Sequence, residues 1–579
     1  MKLHEVIIEN FRSIKQCTVF FGELTALVGE NNAGKTAILR AINCFFNYGE
    51  EERFFQDQSH QHAPRTVTKI MLSFVDVPTR PQYENLVSSN NTLTIQFSYS
   101  YSQSGTHKPS LKCINDSKEQ KCEMDIIQTI KEDIDFVYIP AGRSNKDLLW
   151  SENSIFAQMI SAYLQDYTRN RDTLSKEVSR VSQRLQTQAL ANVEKDLSAL
   201  NMLEHLGNYK IDYTESIGYS VFLNKLGLSI DENGKSRSIT EYGSGIKSLS
   251  VISLHRLLAK IKHVSIILGI EEPETNLHPQ AQKQLIAFIK NNRQDCETQA
   301  IFATHSPVII DSLDHEDIVL VRRCKDTRRP FVSKVTQLQR DFWNRYSLKT
   351  EQLYKFFSIR NSEFFFAKYV VLVESSTDAQ IFQHILKSQL GMDFYNISII
   401  ILDGIRNLKY PYCLLKELDI PFSVIADRDL LTDYSNGKKE NSRNADGFFT
   451  YKNELSSINA ILPILFPDEK DKNDINQALM GHYSRLFELM ESKDIYVMKY
   501  CLEMDLIESS EIRNRLYELI NIPEGKRSIE TLLKENSNAI KEARNIIPAF
   551  MSVMPRDYPY SIKKIRHNLM RRINDCIKG

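Results

Sequence analysis

The sequence predicts an α/β protein in which two parallel-sheet domains follow one another in one chain. In the first half, the apolar segment Leu24–Val28 leads through a glycine-containing loop into a helical segment, 37–46. In the second half, apolar segments such as Tyr369–Val373 and Phe422–Ala426 alternate with helical ones. Strands that alternate with helices form parallel sheets, and ligands bind beyond the carboxyl ends of such strands. The 579 residues suffice for several domains.

The loop after the first strand fits the phosphate-loop pattern G-x-x-x-x-G-K-[ST] at every position, as Gly29-Glu30-Asn31-Asn32-Ala33-Gly34-Lys35-Thr36. Its backbone N–H groups, with the start of the following helix, are expected to surround phosphate oxygens. Lys35 is expected to reach the β- and γ-phosphates, and Thr36 to ligate Mg²⁺. The flanking strand and helix make a chance glycine turn the weaker alternative.

A second apolar strand, 264–270, ends in two adjacent glutamates. Carboxylates at the end of a buried strand cost desolvation free energy unless a cation offsets it. Glu271 takes the Walker B place, which is usually an Asp, and is expected to hold Mg²⁺. Glu272 is expected to orient or deprotonate the attacking water. A third strand ends on His305, interpreted as a γ-phosphate sensor; an ordinary surface or core histidine is the alternative.

The segment Gly243-Ser244-Gly245 precedes a predicted helix, 246–259, where Ser244 and the Gly245 backbone are expected to bind phosphate. Along the chain, the motifs occur in the order phosphate loop, Ser-Gly cap, Glu-Glu and His. With this order the chain resembles ABC-type ATPase heads, and more narrowly the RecF, Rad50 and SMC-like group. Arg12 resembles the early arginine with which that group contacts nucleotide phosphates. The resemblance implies ATP as cofactor and a dimer with two ATPs at a two-fold interface.

Carboxylates follow the strands of the second half at the edge where ligands bind. They are Glu374 after 369–373, Asp378 in the first turn of a helix to about 390, Asp403 after 397–402, and Asp427 with Asp429 after 422–426. Like charges gathered at one edge need cations, and carboxylate oxygens suit Mg²⁺ or Mn²⁺. A solvated acidic edge of an ordinary α/β domain is the alternative.

This arrangement resembles a Toprim domain, the fold shared by topoisomerases, primases and some nucleases. Glu374, Ser375 and Asp378 match its first motif, with Ser in place of the usual Gly and Asp in place of the commoner second Glu. Asp427 and Asp429 match its Asp-x-Asp motif. An ABC head followed by a Toprim domain resembles the OLD (overcoming lysogenization defect) family, which includes the Gabija nuclease subunit and nucleases encoded beside retron reverse transcriptases.

The resemblance implies DNA cleavage with two metals, one activating water and one stabilising the leaving 3′-oxygen. It implies a third acidic cluster, matched by Glu503 and Asp505, which share one face if their segment is extended. It also implies a lysine from the C-terminal helices that steadies the phosphate or leaving group; Lys541 and Lys534, in 529–546, are the candidates. The implied partners are double-stranded DNA, a homodimer or higher even oligomer, and a helicase or a retron reverse transcriptase with its RNA/DNA.

Composition is compatible with these functions. Lys+Arg and Asp+Glu number 73 each, so any basic groove must be local. The nine cysteines contain no C-x-x-C pair and indicate neither zinc nor a disulfide framework. No apolar run reaches membrane-span length, and a cytoplasmic location without membrane attachment is expected. Two basic runs, for which a solvated face is the likelier alternative, are candidates for DNA contact: Arg322, Arg323, Lys325, Arg328 and Arg329, and Lys563, Lys564, Arg566, Arg571 and Arg572.

The predicted domains are an ABC-type ATPase head at 1–345, a packed helical bridge at 346–368, and a Toprim domain with C-terminal helices at 369–579. Within the head, 67–100 should form antiparallel strands. A core strand at 135–140 should lead to Arg143, which either approaches nucleotide or an interface, or is an ordinary loop arginine. We expect 151–208 to form a helical dimerisation insert, with a passive helical cover as the alternative. Residues 434–446 are expected to form a mobile loop beside the acidic site.

Three function classes stay open on these grounds. An ATP-regulated, divalent-metal-dependent DNA endonuclease of bacterial antiphage defence, making nicks or double-strand breaks, is favoured because bare acids repel DNA phosphates unless metal is present. The alternatives are a RecF/Rad50-like DNA-repair clamp whose Toprim half binds without cleaving, and a nucleotide-sensing scaffold. No tyrosine has the sequence context of a topoisomerase nucleophile; Tyr558 and Tyr560 are expected to be packing or turn residues.

Overall fold

The computed structural model describes residues 1–101, 109–116, 118–141, 154–165, 168–193, 195, 226–232, 234–291, 298–326, 331–349 and 362–578. The chain divides into two compact units, Met1–Ser312 with Val332–Lys334, and Leu313–Phe331 with Val335–Gly579. Residues 313–345, predicted to lie in the first domain, therefore divide between the two units, and the domain boundary at 345 stays a prediction.

The first unit contains a six-stranded antiparallel sheet, a two-stranded antiparallel sheet and a parallel sheet. Its strands are β1 (Lys2–Phe11), β2 (Ile14–Phe20), β3 (Leu24–Val28), β4 (Val67–Val75), β5 (Leu93–Ser100), β6 (Ser110–Asn115), β7 (Lys118–Cys122), β8 (Ile134–Ile139), β9 (Ser229–Glu232), β10 (Lys235–Ser238), β11 (Ser265–Glu271) and β12 (Thr298–Thr304). Its helices are Lys35–Phe46, Tyr48–Gln56, Asp125–Asp133, Ile155–Gln165, Thr168–Arg184, the π-helix Leu185–Leu190, Ser244–Lys262, Pro279–Asn291 and Pro307–Ile310.

The parallel sheet places the predicted nucleotide motifs at one edge. Its strands run in the order β3-β12-β11-β8, with Thr304 opposite Val28 and Glu271 opposite Ala303. The carboxyl ends of β3, β11 and β12 therefore lie side by side, and the strands are buried along most of their length because both faces are covered. The second sheet, β2-β1-β4-β5-β6-β7, confirms the antiparallel prediction for 67–100.

Two predicted helix starts are corrected. The helix after the phosphate loop begins at Lys35, two residues early, and the helix predicted at 246–259 runs from Ser244 to Lys262. Gly243 is its N-cap, so Ser244 lies in the first turn rather than in a capping loop. Described parts of the predicted insert are helical, whereas Arg143 lies outside the described residues.

The strands of the second unit are β13 (Ile318–Cys324), β15 (Tyr369–Val373), β16 (Ile397–Ile401), β17 (Phe422–Ala426) and β18 (Ile495–Val497), while β14 (Val332–Gln337) spans the division between the units. Four of these strands form a parallel sheet in the order β16-β15-β17-β18. Its helices are Phe342–Arg345, Ser376–Leu390, Lys409–Glu417, Leu462–Leu465, Glu469–Met480, Tyr483–Glu491, Leu502–Ile507, Ser510–Leu519, Ala543–Met551 and Tyr560–Lys578.

The C-terminal helices share one apolar core with the sheet. Val371 and Val373 of β15 belong to the same buried cluster as Phe550 and Leu569. The segment 529–546, which carries the candidate lysines Lys534 and Lys541, is not one continuous helix: it contains a π-helical turn, Thr531–Glu535, and a separate 3₁₀ turn, Ala539–Lys541. Among the described helices, none combines the length and apolar character needed to cross a bilayer.

Candidate nucleotide and metal sites

The Lys35 side chain folds back over the phosphate loop. Its Nζ donates hydrogen bonds to the carbonyl oxygens of Gly29 at 2.7 Å and Glu30 at 2.8 Å. Burial lowers the pKa of Lys35, and the negative charges of Glu274 and Glu272 oppose that shift. The ammonium therefore lies between the loop and the acidic strand end, where phosphate oxygens could take over its hydrogen bonds.

Gly34 is fixed by close packing. Its φ is +114°, and an added Cβ would lie 2.3 Å from Ser333 Oγ and 3.0 Å from Ser13 Oγ. Ser333 Oγ donates to the Ala33 carbonyl at 2.6 Å. Ser13, the residue after Arg12, therefore packs against the phosphate loop. Of the remaining predicted loop ligands, Asn31 and Asn32 are exposed and Thr36 is half-buried.

Glu271 and Glu272 stand at the end of β11, as predicted. Glu272 has a left-handed φ of +42°, a conformation that costs roughly 1–3 kcal/mol for a residue with a side chain. Its N–H donates to the Ala303 carbonyl at 2.8 Å, and its Oε2 accepts from Thr275 Oγ1 at 3.2 Å. The backbone is therefore held by the neighbouring strand in a geometry that turns Glu272 out of line with β11.

Sequence reasoning missed the role of Glu274. This buried carboxylate accepts hydrogen bonds from Thr304 Oγ1 and from the His305 N–H, both at 2.9 Å. His305 Nδ1 also lies 3.3 Å from Glu274 Oε1. Glu274 therefore positions His305 at the end of β12. The signal was present as the third glutamate of Glu-Glu-Pro-Glu, but its partners become neighbours only through strand pairing.

Close packing explains why position 245 is a glycine. An added Cβ would lie 2.7 Å from both the Asn276 carbonyl oxygen and Leu277 Cδ2, in the segment after Glu274. The start of helix Ser244–Lys262 thus packs on the acidic strand end, and this contact requires glycine. The Ser244 side chain lies outside the described residues, and phosphate binding by Ser244 and Gly245 stays a prediction.

A buried group of Cys44, Glu51 and His60 has metal-ligand atoms within 4.8 Å of one another. It does not fit a metal, because both His60 nitrogens are in use. Nδ1 accepts from Arg12 Nε at 3.1 Å and Nε2 lies 2.9 Å from Glu51 Oε2. Glu51 is further neutralised by Arg40 Nη1 at 3.1 Å. This group is a hydrogen-bonded network that holds Arg12 in place.

In the second unit, the structure brings three predicted acids together. Glu374 follows β15, Asp427 and Asp429 follow β17, and one oxygen from each lies within 4.8 Å of the others. Glu374 Oε2 and Asp429 Oδ1 are buried without a hydrogen-bond partner among the described residues. Unsatisfied buried carboxylate oxygens are costly, and an oxygen-liganded divalent cation would satisfy them. The residues therefore fit Mg²⁺ or Mn²⁺.

The electrostatics of these acids support the same fit. Burial raises the pKa of Glu374 to about 7, and the charges of Asp429 and Asp378 add to the shift. Burial also raises the pKa of Asp427, again with a contribution from Asp378. The bare cluster therefore favours protons, and a divalent cation would keep it ionised at neutral pH.

Asp378 has a structural role besides its predicted one. Its Oδ2 accepts from the Ser375 N–H at 2.9 Å and from the Ser375 hydroxyl at 2.5 Å, which forms a capping box at the start of helix Ser376–Leu390. Metal binding by Asp378 stays a prediction. Asp403, expected at the same edge, is exposed and lies outside the group formed by the three acids.

The prediction that Glu503 and Asp505 share one face is wrong, because Leu502–Ile507 is a helix rather than an extended segment. The negative charge of Glu503 contributes to raising the pKa of Asp427, after burial and the charges of Asp378 and Glu374. Asp505 is fully buried and accepts from the N–H groups of Lys499 and Tyr500, both at 2.8 Å. Its contacts are those of a turn-stabilising residue, whereas its catalytic and metal roles stay predictions.

The C-terminal lysines are not placed at the acids by any contact within the described residues. Lys534 pairs with Glu530 at 2.8 Å, and Lys541 is exposed at the end of its 3₁₀ turn. Among the basic candidates, Arg571 pairs with Glu491 and Arg572 with Asp494. Arg328 and Arg329 lie outside the described residues. DNA contact by either basic run, and catalysis by Lys541, stay predictions.

Family models match parts of both halves of the chain. A family model described as "AAA ATPase domain" matches residues 1–145 and 131–310, and one described as "Overcoming lysogenization defect protein-like, TOPRIM domain" matches 365–429. The OLD nuclease of Thermus scotoductus is 25% identical over 461 residues, covering 74% of this chain and 82% of that protein. The Old nuclease of Escherichia phage P2 is 24% identical over 477 residues, covering 75% and 78%.

A third relative, endonuclease GajA of Bacillus cereus, is 24% identical over 297 residues, covering 48% of this chain and 43% of that protein. Among solved structures, an SMC head bound to the C-terminal winged-helix domain of ScpA matches 60% of this chain and 100% of that chain at 14% identity, with a TM-score of 0.39.

The fold and its two sites define a protein that joins a phosphate-loop ATPase domain to a Toprim domain. The chain belongs to the AAA ATPase domain family through its first 310 residues and, with its OLD-like Toprim domain, is a member of the OLD family.

Proposed function

We propose that this protein is an ATP-regulated, divalent-metal-dependent DNA endonuclease of antiphage defence. The observation that carries the proposal is the convergence of Glu374, Asp427 and Asp429 at the edge of an OLD-like Toprim sheet, where two of their buried oxygens have no hydrogen-bond partner among the described residues. Such a set is costly in a protein that only binds DNA, since it repels phosphate. The nuclease names of the relatives support the same reaction class.

In this proposal, Glu374, Asp427 and Asp429 hold Mg²⁺ or Mn²⁺, and Asp378 and Glu503 add to the negative field around them. A divalent cation in this position supplies charge stabilisation for the phosphodiester oxygens during attack by water. The carboxylates position the cation, and the apolar sheet beneath them keeps their geometry rigid.

The nucleotide site is proposed to bind ATP with Mg²⁺ at Lys35, Thr36 and Glu271. Lys35 binds the β- and γ-phosphates with its ammonium, Glu272 orients the attacking water, and His305, held by Glu274, contacts the γ-phosphate end. Arg12 contributes a second cation beside the loop. A homodimer, in which the segment 243–245 of one subunit closes on the nucleotide of the other, completes this proposal.

The proposal is tested with purified full-length protein and supercoiled plasmid. Nicked or linear DNA should appear with Mg²⁺ or Mn²⁺ and be absent with EDTA. A wild-type protein that leaves plasmid intact in both metals, with and without ATP, would refute the nuclease assignment.

Regulation by ATP is a separate part of the proposal. A nucleotide alters the cleavage rate only through differential affinity for two arrangements of the protein, and DNA must then change ATP affinity by the same factor. We expect a non-hydrolysable ATP analogue to slow cleavage. Identical cleavage with no nucleotide, ATP and analogue, together with unchanged ATP affinity on adding DNA, would show that the two activities are merely tethered.

A further inference from the structure

The segment from Tyr434 to Tyr451, here called the 434–451 lobe, lies beside the acid cluster and is internally hydrogen-bonded. Tyr434 bridges to Tyr451, and the Ser435 N–H donates to the Thr450 carbonyl at 3.0 Å. The Asn436 N–H donates to Ser442 Oγ at 2.8 Å. These pairings, most of them between backbone groups, give a defined shape to a segment that the sequence predicts to be a mobile loop.

The lobe is joined directly to the acid cluster. The Tyr434 hydroxyl donates to Asp429 Oδ2 at 3.0 Å. The Tyr434 ring stacks on Tyr451 with centroids 5.3 Å apart and meets Phe449 edge-on at 5.3 Å. The rings of Tyr434, Phe449 and Tyr451 form an aromatic wall. At one end of this wall, Tyr434 contacts Asp429, a predicted metal ligand.

Lys439 lies on this wall. Its ammonium is 5.0 Å from the Phe449 ring centroid and 5.7 Å from that of Tyr434, distances at which a cation is attracted to an aromatic face. The side chain is half-buried and, among the described residues, makes no ion pair and no hydrogen bond. An ammonium has three donors, so those of Lys439 stay available, and its positive charge is near enough to Glu374 to oppose the rise in the pKa of that carboxyl.

The other lobe cations differ from Lys439. Arg443 also lies over Phe449, at 4.7 Å, but its Nη1 donates to the carbonyls of Gly447 and Leu533, both at 2.8 Å, which makes it a structural cation. Lys438 is exposed. Lys439 is therefore the lobe cation that combines a fixed position, available donors and proximity to the acid cluster.

We infer that Lys439 binds a backbone phosphate of the DNA strand that enters the Toprim site, with Phe449 and Tyr434 holding its ammonium in place. This inference rests on the proposed function, since it names a substrate contact at the same site. A compact ammonium suits a phosphate oxygen, because it supplies a point charge with three donors. The rings keep Lys439 from collapsing onto the carboxylates, which leaves those oxygens for the divalent cation.

The test measures DNA binding rather than cleavage. The affinity of the full-length protein for a fluorescent duplex is determined by anisotropy with Ca²⁺ in place of Mg²⁺ or Mn²⁺, so that the carboxylates are screened by an oxygen-liganded cation, over a series of salt concentrations. Lys439→Ala should weaken binding roughly 5- to 10-fold and reduce the slope of log K against log salt by about 1, the effect of losing one phosphate contact. Lys439→Arg should keep the slope. Lys438→Ala is the matched control and should leave it unchanged.

Two results overturn the inference. One is an unchanged salt slope in Lys439→Ala; the other is an equal loss in Lys438→Ala, which would mean diffuse attraction by the lobe. Matching thermal unfolding of wild type and Lys439→Ala, with rescue by Lys439→Arg, excludes a folding defect as the cause. Wild-type plasmid cleavage, measured in parallel with Mg²⁺ or Mn²⁺, tests the nuclease proposal separately. If the wild type fails to cleave but the slope change is found, the function is wrong and the phosphate contact stands.

Discussion

Arg12 is joined to His60 through both main chain and side chain. The Arg12 N–H donates to the His60 carbonyl at 3.0 Å, and Arg12 Nε donates to His60 Nδ1 at 3.1 Å. Because Nδ1 accepts, the neutral imidazole has its proton on Nε2 and donates it to Glu51. Burial holds the pKa of His60 below its usual value, in agreement with a neutral ring. His60 therefore fixes Arg12 beside the phosphate loop.

Replacing His60 should affect both stability and nucleotide binding. His60→Ala leaves Arg12 Nε and buried Glu51 each short of one partner, which should lower the free energy of unfolding by about 1–3 kcal/mol. It should also weaken ATP binding, measured with a fluorescent analogue, because Arg12 is no longer held. The exposed His567 offers a control, and His567→Ala should change neither quantity. Wild-type ATP affinity in folded His60→Ala would separate His60 from the nucleotide site.

The two ends of the nucleotide site should respond differently to substitution. Lys35→Ala should abolish ATP binding, since the ammonium in the middle of the loop is lost. Glu272→Gln should keep ATP bound while slowing hydrolysis by roughly 100-fold or more, the usual contribution of a general base. Binding and turnover are measured on the same preparations. Wild-type turnover in Glu272→Gln would mean that another residue acts on the water.

Ser375 stands where the family usually has Gly, and the structure gives it a measurable role. Its hydroxyl caps helix Ser376–Leu390 by accepting from the Asp378 N–H. Ser375→Ala should lower stability by about 1 kcal/mol, and Ser375→Gly should cost less than that, because Gly is tolerated at N-caps although both variants lose the hydroxyl bond to Asp378. Urea denaturation of the three proteins compares these values. Equal stability of wild type and Ser375→Ala would contradict the capping role.

Stability should decrease at acidic pH because of His315. Burial lowers the pKa of His315 from 6.5 to about 3, and its Nδ1 lies 2.6 Å from the Tyr410 hydroxyl. A histidine kept neutral in the folded protein takes up its proton on unfolding, so its contribution is complete above pH 6.5 and is lost as pH falls toward 3. The free energy of unfolding is measured by urea titration at pH values from 7 to 5. It should fall less steeply with pH in His315→Gln than in wild type, whereas the control His567→Gln, at an exposed site, should follow wild type.

Much of the fold and part of the site could be predicted from local sequence. Leu24–Val28, Tyr369–Val373 and Phe422–Ala426 agree with their predicted bounds, because fully buried parallel strands are short, continuous apolar runs. Glu374, Asp427 and Asp429 converge for the same topological reason, because they follow two adjacent parallel strands, whereas Asp403 after a third strand does not join them.

The site predictions that were wrong or incomplete concern residues whose surroundings depend on long-range contacts. The Leu502–Ile507 segment has no pattern that distinguishes a short helix from an extended stretch, and the predicted common face of Glu503 and Asp505 is therefore wrong. Glu274 and Lys439 gain their partners, Thr304 and Phe449, only after the chain folds.

The central claim is that DNA is cut at the acid cluster of the Toprim domain, and one comparison tests it most directly. Plasmid cleavage in Mg²⁺ and Mn²⁺ is measured for wild type, Glu374→Ala, Asp427→Ala and, as the control for the ATPase half, Lys35→Ala. We predict that the two Toprim variants remain folded, bind ATP and leave plasmid intact. Lys35→Ala should lose ATP binding, but it should still cleave plasmid because its metal cluster is intact. Undiminished nicking by both Glu374→Ala and Asp427→Ala would contradict the account.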